Sequence, residues 1–116
     1  MEPISLTVVV IGKLLMAHLG ITALGATIII AAVVILLTML YIISWFRSKQ
    51  AIANRPNKVS FTLKLEERLK SGEYALVQGV YDENTRNLVE ARCIPYHSLD
   101  SELREKHRHH DLVVYR

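Results

Sequence analysis

Hydrophobic and polar residues are distributed very unevenly along this chain. Residues 21–46 contain no ionisable side chain, whereas nearly all charged residues lie from Arg47 onwards. A helix needs ~20 consecutive apolar residues to cross the ~30 Å hydrocarbon core of a bilayer, and other buried helices are usually interrupted sooner by polar positions. The pattern therefore predicts a single-pass membrane protein, with one long transmembrane α-helix over residues 21–46 and a small polar domain after it.

The apolar run continues towards the N-terminus through residues 6–19, where it is interrupted by Lys13. One helix from there to the end of the span would be about 60 Å long, twice the hydrocarbon thickness. We therefore interpret residues 1–20 as an outer or interfacial segment, hinged at Gly20 or Gly25. A protruding helix and a helical hairpin are the alternatives. The hairpin is disfavoured because it places Lys13 in the bilayer, at a cost of about 2.5–3.5 kcal/mol.

The residues on either side of the predicted span indicate its orientation. Residues 47–58 carry several cations and are broken by Pro56, so we interpret them as a basic juxtamembrane linker. By the positive-inside rule, the N-terminus lies outside and the C-terminal domain lies in the cytoplasm. Aromatic side chains at the end of the span suit the headgroup level. The residues predicted to lie at the membrane interfaces are Lys13, Tyr41, Trp45, Phe46, Arg47 and Lys49.

Small side chains are grouped in the outer half of the predicted span. Ala23, Thr27 and Ala31 are spaced four residues apart, and Gly20, which precedes them, is also small. Small residues let helices approach closely in lipid, where van der Waals packing drives their association. These four residues are therefore predicted to pack against a helix of another subunit, with self-association as the alternative.

Residues 59–116 are predicted to form a small cytosolic α+β domain in the order helix, strand, strand, helix, strand. The first helix is placed at residues 61–71, between the N-cap candidate Ser60 and the C-terminal Gly72. The same stretch also alternates as a strand would.

Two runs rich in β-branched and aromatic residues, 74–81 and 88–94, flank a cluster of turn-forming residues. They are predicted to pair as an antiparallel hairpin whose second strand ends at Pro95. Alternation along that strand directs Cys93 to the core and Arg92, with Glu90, to a solvated face.

A second helix is predicted to begin after the N-cap candidate Ser98, and residues 111–116 are predicted to form a terminal strand. A crossover connection would place this last strand parallel to the second strand of the hairpin and antiparallel beside the first.

Charge and cysteine content exclude several functions. The net charge is only +3, with acidic and basic residues interspersed, which argues against nucleic-acid binding. The single cysteine excludes an internal disulfide and a CxxC motif. There is no GxSxG, no HExxH and no glycine-rich phosphate loop, so neither an enzyme nor a cofactor is predicted.

The side chains that could bind zinc or copper are those of Cys93, His97 and a group of histidines near the C-terminus. Their spacing matches no standard metal site. His107, His109 and His110 are the weak candidates, and solvated histidines at the end of a helix are the simpler interpretation.

The pattern as a whole predicts a non-catalytic accessory, assembly or stabilising subunit of a larger membrane protein complex. Its partners would be other transmembrane subunits and the lipid bilayer, and a homo-oligomer is the alternative assembly. The alternative function is a membrane-tethered regulatory or sensor module whose cytosolic domain binds a ligand, metal or signalling partner. Aromatic residues are enriched at interfaces, so Tyr81, Tyr96 and Tyr115 are predicted to contact the partner.

Overall fold

The architecture is taken from a computed structural model that describes residues 22–23, 26–27, 29–53, 56–65, 68–69, 71–85 and 87–115. These residues form mostly β-sheet. The strands are β1 (Thr22–Ala23), β2 (Ala26–Thr27), β3 (Ile29–Ile30), β4 (Val34–Leu37), β5 (Lys58–Lys64), β6 (Tyr74–Asp82), β7 (Asn87–Leu99) and β8 (Leu112–Tyr115). The helices are α1 (Met39–Ser48), the short α2 (Gln50–Ala53) and α3 (Ser101–Lys106).

The central sheet has the order β3, β7, β6, β5, β8, and β4 extends the β3 edge along β7. β3 and β4 run parallel to β7, while the β5–β6, β6–β7 and β5–β8 pairs are antiparallel. β1 and β2 form a separate antiparallel pair.

Alternation along the strands gives the sheet two different faces. The apolar face carries Val59, Phe61, Leu63, Val77, Tyr81 and Cys93, all of them buried. The helical face carries Leu76 and Ile94, which form a second cluster with Ile42 of α1 and Leu103 of α3. The burial predicted for Cys93 is confirmed.

The predicted transmembrane helix over residues 21–46, and with it the single-pass architecture, is wrong. The described residues of this region form β1 to β4, and helix begins only at Met39, where the Thr38 side chain accepts a hydrogen bond from Tyr41 N. Among the described residues, no helix combines the length and apolar character needed to cross a bilayer. The physical reason is pairing with a distant strand, because β3 and β4 pair parallel with β7, and the isoleucine and valine residues of this stretch suit a strand as well as a helix in a membrane.

The predicted helix over residues 61–71 is also wrong. β5 occupies Lys58–Lys64 and is hydrogen-bonded on both sides, to β6 and to β8. Its alternating apolar residues therefore follow the period of a strand. Gly72 has a positive φ of 99°, as predicted, but it lies in the turn before β6.

The predicted hairpin is confirmed by β6 and β7, which pair antiparallel through most of their length. Pro95 does not end the second strand, which continues to Leu99. Pro95 lies where the parallel neighbour of β7 changes from β3 to β4, so its missing N–H falls between two ladders.

The terminal strand is confirmed as β8, but its neighbour is β5 rather than a strand of the hairpin. The helix before it begins after Asp100, not after Ser98. Asp100 Oδ1 accepts from Leu103 N at 2.9 Å and Oδ2 accepts from Met39 N at 2.8 Å, so one carboxylate caps both α3 and α1.

Candidate functional site

A buried glutamine lies at the centre of the helical face. Gln78 of β6 is fully buried, and its side-chain Nε2 donates to the Ile42 carbonyl of α1 at 2.7 Å. Its Oε1 accepts from Arg92 Nε at 2.9 Å and from Arg92 Nη2 at 2.7 Å. The two residues meet because Gln78 and Arg92 are directly opposed in the β6–β7 ladder. The glutamine therefore fixes the arginine side chain against the sheet.

The guanidinium of Arg92 is stacked against two aromatic rings of α1. Its Cζ lies 4.6 Å from the centroid of the Tyr41 ring and 5.2 Å from that of Trp45. Tyr41 and Trp45 are four residues apart and thus share one face of the helix. Nη1 also donates to the Tyr41 hydroxyl at 3.4 Å. Burial lowers the pKa of Arg92, while Tyr41 raises it. An arginine nonetheless remains charged at any physiological pH.

The acidic residue nearest to Arg92 along β7 has another partner. Glu90 Oε2 forms an ion pair with Lys49 Nζ at 2.7 Å, and both side chains are about one-third exposed. Within the described part of the chain, Arg92 forms no ion pair with a carboxylate. The half-buried guanidinium is thus a net positive charge.

An open concavity of about 480 Å³ lies over this group. Its lining includes Tyr41, Trp45 and Arg92, and apolar and hydroxyl-bearing side chains of α1 and its N-cap complete it. The complete lining is Thr38, Leu40, Tyr41, Ser44, Trp45 and Arg92. The concavity combines one cation, aromatic surface and hydroxyl groups, and a mostly apolar lining with a few polar groups is typical of ligand-binding pockets.

Exposed apolar side chains also occur close to the concavity in the chain, and we name this set of residues the apolar edge. It runs from β3 through β4 to the first turn of α1, and Leu40 belongs to both features. β4 pairs with β7 and with no other described strand. The apolar edge consists of Ile29 (66% exposed), Val33 (47%), Ile35 (70%), Leu36 (51%) and Leu40 (67%).

A second polar group is buried on the helical face. His107 Nδ1 lies 3.0 Å from the carbonyl oxygen of His110, which can only accept, so Nδ1 carries the proton. Nε2 is then the acceptor for the Thr62 hydroxyl at 2.8 Å, and Thr62 Oγ1 lies 2.9 Å from the Tyr115 hydroxyl. Burial lowers the pKa of His107. This network satisfies its own polar groups and offers no open position.

The predicted metal ligands are not brought together. His107 is buried, whereas His109, His110 and His97 are exposed and Cys93 lies on the apolar face. In the described residues no group of three histidine, cysteine, aspartate or glutamate side chains has the arrangement needed to hold a metal ion. Burial raises the pKa of the Cys93 thiol to about 11.

The aromatic residues assigned to a membrane interface pack against the sheet. Tyr41 and Trp45 stack on Arg92, and the Phe46 ring lies 5.4 Å from that of Tyr115. Arg47 is exposed, and Lys49 forms the ion pair with Glu90.

The three tyrosines predicted to contact a partner are largely internal. Tyr81 and Tyr96 are buried, so their side chains are unavailable to a partner, and Tyr115 is half-buried. The Tyr96 hydroxyl forms no hydrogen bond within the described part of the chain, and burial raises its pKa to about 12.

The predicted helix-packing residues are only partly described. Lys13 and Gly20 lie outside the described residues, and Ala23 and Thr27 belong to β1 and β2. Ala31 follows β3, and its N–H donates to the Cys93 carbonyl at 2.8 Å.

The sequence reasoning missed Gln78 and placed Arg92 on a solvated face. A signal was present, because Gln78 is the one strongly polar residue within the apolar run at residues 74–81. A polar residue at a buried strand position must find a partner, and the opposed strand supplies it.

Comparison with protein-family models, with curated proteins and with solved structures finds no match to this chain.

Proposed function

We propose that this chain is a non-catalytic accessory subunit that docks onto a different protein of a larger assembly through the apolar edge. The observation that carries the proposal is the exposure of five large hydrophobic side chains in one continuous stretch of sequence. Exposed apolar patches of this kind mark protein interaction sites.

The backbone of β4 supports the same function. An edge strand has N–H and C=O groups that can pair with a further strand, and proteins usually protect such edges with charges or proline. The stretch from Ile29 to Leu40 contains neither. The proposed occupant is therefore an apolar strand of the partner protein, which would add main-chain hydrogen bonds to side-chain contacts with Ile35 and Leu36.

Photocrosslinking tests the proposal. A photoreactive amino acid at position 35 of the full chain, expressed in its native host, is expected to give one adduct with another protein, and Leu36→Asp should abolish it. The matched control places the same amino acid at Glu102, which is exposed on α3, and it should give no adduct.

Three outcomes would contradict the proposal. They are the absence of an adduct at position 35, equal adducts at both positions, or an adduct with twice the 13.2 kDa mass of this chain. The last outcome would show self-assembly through the apolar edge.

A further inference from the structure

We infer that the concavity over Arg92 binds a carboxylate carried on an apolar or aromatic group, and that Arg92 holds the carboxylate through its Nη1 and Nη2 atoms. This inference does not depend on docking by the apolar edge.

The hydrogen bonds of Arg92 leave one side of the guanidinium open. Gln78 Oε1 accepts from both Nε and Nη2 and so occupies the side formed by those two atoms. Each terminal nitrogen has two N–H groups, and the only further acceptor among the described residues is the Tyr41 hydroxyl, at 3.4 Å from Nη1. One N–H on each terminal nitrogen is therefore left without an acceptor, and these two donors can serve the two oxygens of a carboxylate.

The charge around the concavity favours an anion. Glu90 is engaged by Lys49 at 2.7 Å, so it does not neutralise Arg92, and Lys49 itself lies 5.7 Å from the centroid of the Trp45 ring. A half-buried cation without a counterion has lost part of its hydration and gains most from a ligand that supplies the opposite charge.

The arginine is also held in place before any ligand arrives. Gln78 is anchored by the Ile42 carbonyl, and Tyr41 and Trp45 stack on the guanidinium. A fixed donor pair binds more tightly than a flexible one, because less conformational entropy is lost on binding.

A carboxylate fits this site better than a phosphate does. A phosphate dianion is normally met by several cations or by free amides at a helix N-terminus. Here Arg92 is the one unpaired cation among the described lining residues, and two of the first amides of α1, those of Met39 and Tyr41, are occupied by Asp100 and Thr38. Leu40 and the Trp45 ring provide surface for an apolar body, and the volume of about 480 Å³ accommodates a small organic acid or one acidic side chain.

Fluorescence of Trp45, the only tryptophan, provides a direct measurement. Titration of the full chain with phenylacetate should give a saturable change in Trp45 emission. Phenylacetamide, which has the same ring without the charge, should bind at least about tenfold more weakly. A blocked tripeptide, acetyl-Leu-Glu-Leu-amide, is compared with phenylacetate, and tighter binding of the tripeptide would identify an acidic side chain of a protein as the preferred carboxylate.

Two variants locate the binding. Arg92→Lys keeps a positive charge but lacks the paired donors, and it should weaken phenylacetate at least about tenfold. Ser44→Glu introduces a repelling charge at an exposed lining position, where substitutions usually change stability little, and it should weaken binding similarly. Arg108→Gln removes an exposed arginine that follows α3 and does not line the concavity, and it should change nothing.

The site is overturned if phenylacetate gives no saturable change, if phenylacetamide binds equally well, or if Ser44→Glu leaves binding intact. Tighter binding of inorganic phosphate than of phenylacetate would likewise overturn it. Ser44 and Arg92 lie outside the apolar edge, so a negative result here leaves the crosslinking result at position 35 unaffected.

Discussion

The two faces of the central sheet are built from the same strands and serve different purposes. On the apolar face, β5, β6 and β7 contribute only hydrophobic groups to the core cluster. On the helical face, the same strands contribute Thr62, Gln78 and Arg92, and each of these finds a hydrogen-bond partner. Because successive strand residues point to opposite sides, a sheet can hold its stability on one face and its recognition chemistry on the other.

The largest expected effect comes from the apolar face. Phe61 is fully buried, and its ring lies over Gly79, where a Cβ would come within 2.9 Å of Phe61 Cζ. Phe61→Ala should lower the free energy of unfolding by about 3–5 kcal/mol, measured by urea denaturation. Phe46→Ala, at a half-buried ring on the helical face, is the matched control. Equal losses from the two substitutions would break the distinction between the faces.

The next effect concerns the centre of the helical face. Gln78→Met keeps the side-chain volume but leaves the Ile42 carbonyl and the Arg92 Nε without a partner. We expect a loss of about 1–3 kcal/mol in the free energy of unfolding. Gln50→Met, at an exposed position in α2, should change stability by less than about 0.5 kcal/mol. A stabilising effect of Gln78→Met would show that the polar centre is costly to the fold.

The pH dependence of the free energy of unfolding near neutral pH should also come from the helical face. Burial lowers the pKa of His107 below its ordinary 6.5, so the unfolded chain binds a proton at a pH where the folded chain does not. Stability should therefore fall as the pH drops below about 6.5 and level off once His107 is protonated in the folded state. For one proton the slope cannot exceed about 1.4 kcal/mol per pH unit.

Denaturation series between about pH 5 and pH 7 check this slope. His107→Gln should remove it, and His109→Gln, at an exposed histidine, should not. The carboxyl groups of Glu73 and Asp82, whose pKa values are lowered from 4.5 and 3.8, act only at more acidic pH. An unchanged slope in His107→Gln would contradict the assignment.

The smallest effect is expected from the exposed ion pair between the end of α1 and β7. The Lys49–Glu90 pair is about one-third exposed, so a double-mutant cycle should give a coupling of no more than about 1 kcal/mol, reduced by salt. The Lys58–Asp82 pair has the same 2.7 Å separation with side chains only 14% exposed, and its coupling should be larger. The reverse order would mean that exposure does not control these ion pairs.

The hairpin could be predicted from the sequence because the residues that determine it lie close together in the chain. Asp82 Oδ1 accepts hydrogen bonds from Asn84 N and Thr85 N, as expected of an aspartate in a turn, and the flanking strands follow from their β-branched residues. The apolar run at residues 21–46 has no comparable local determinant. The strands β3 and β4 within this run pair with β7, which lies far along the chain. The periodicity of residues in a short window gives no information about such a distant partner.

The candidate site could be predicted only in part. Alternation along β7 correctly separated Arg92 from Cys93. The alternation did not reveal that α1 covers the face carrying Arg92, because most of α1 was predicted to be part of a transmembrane helix. Gln78 and Arg92 become opposed only once the β6–β7 register is known, and a one-residue change of register would separate them.

The parallel pairing of β4 with β7 also has a consequence for the time course of folding. The Ser98 hydroxyl donates to the Ile35 carbonyl across 63 residues of sequence, whereas β6 and β7 meet through a short turn. Contacts between distant residues form more slowly than local ones. During synthesis, β4 leaves the ribosome well before the strand that completes it, so we expect the pairing of β4 with β7 to be among the last contacts to form.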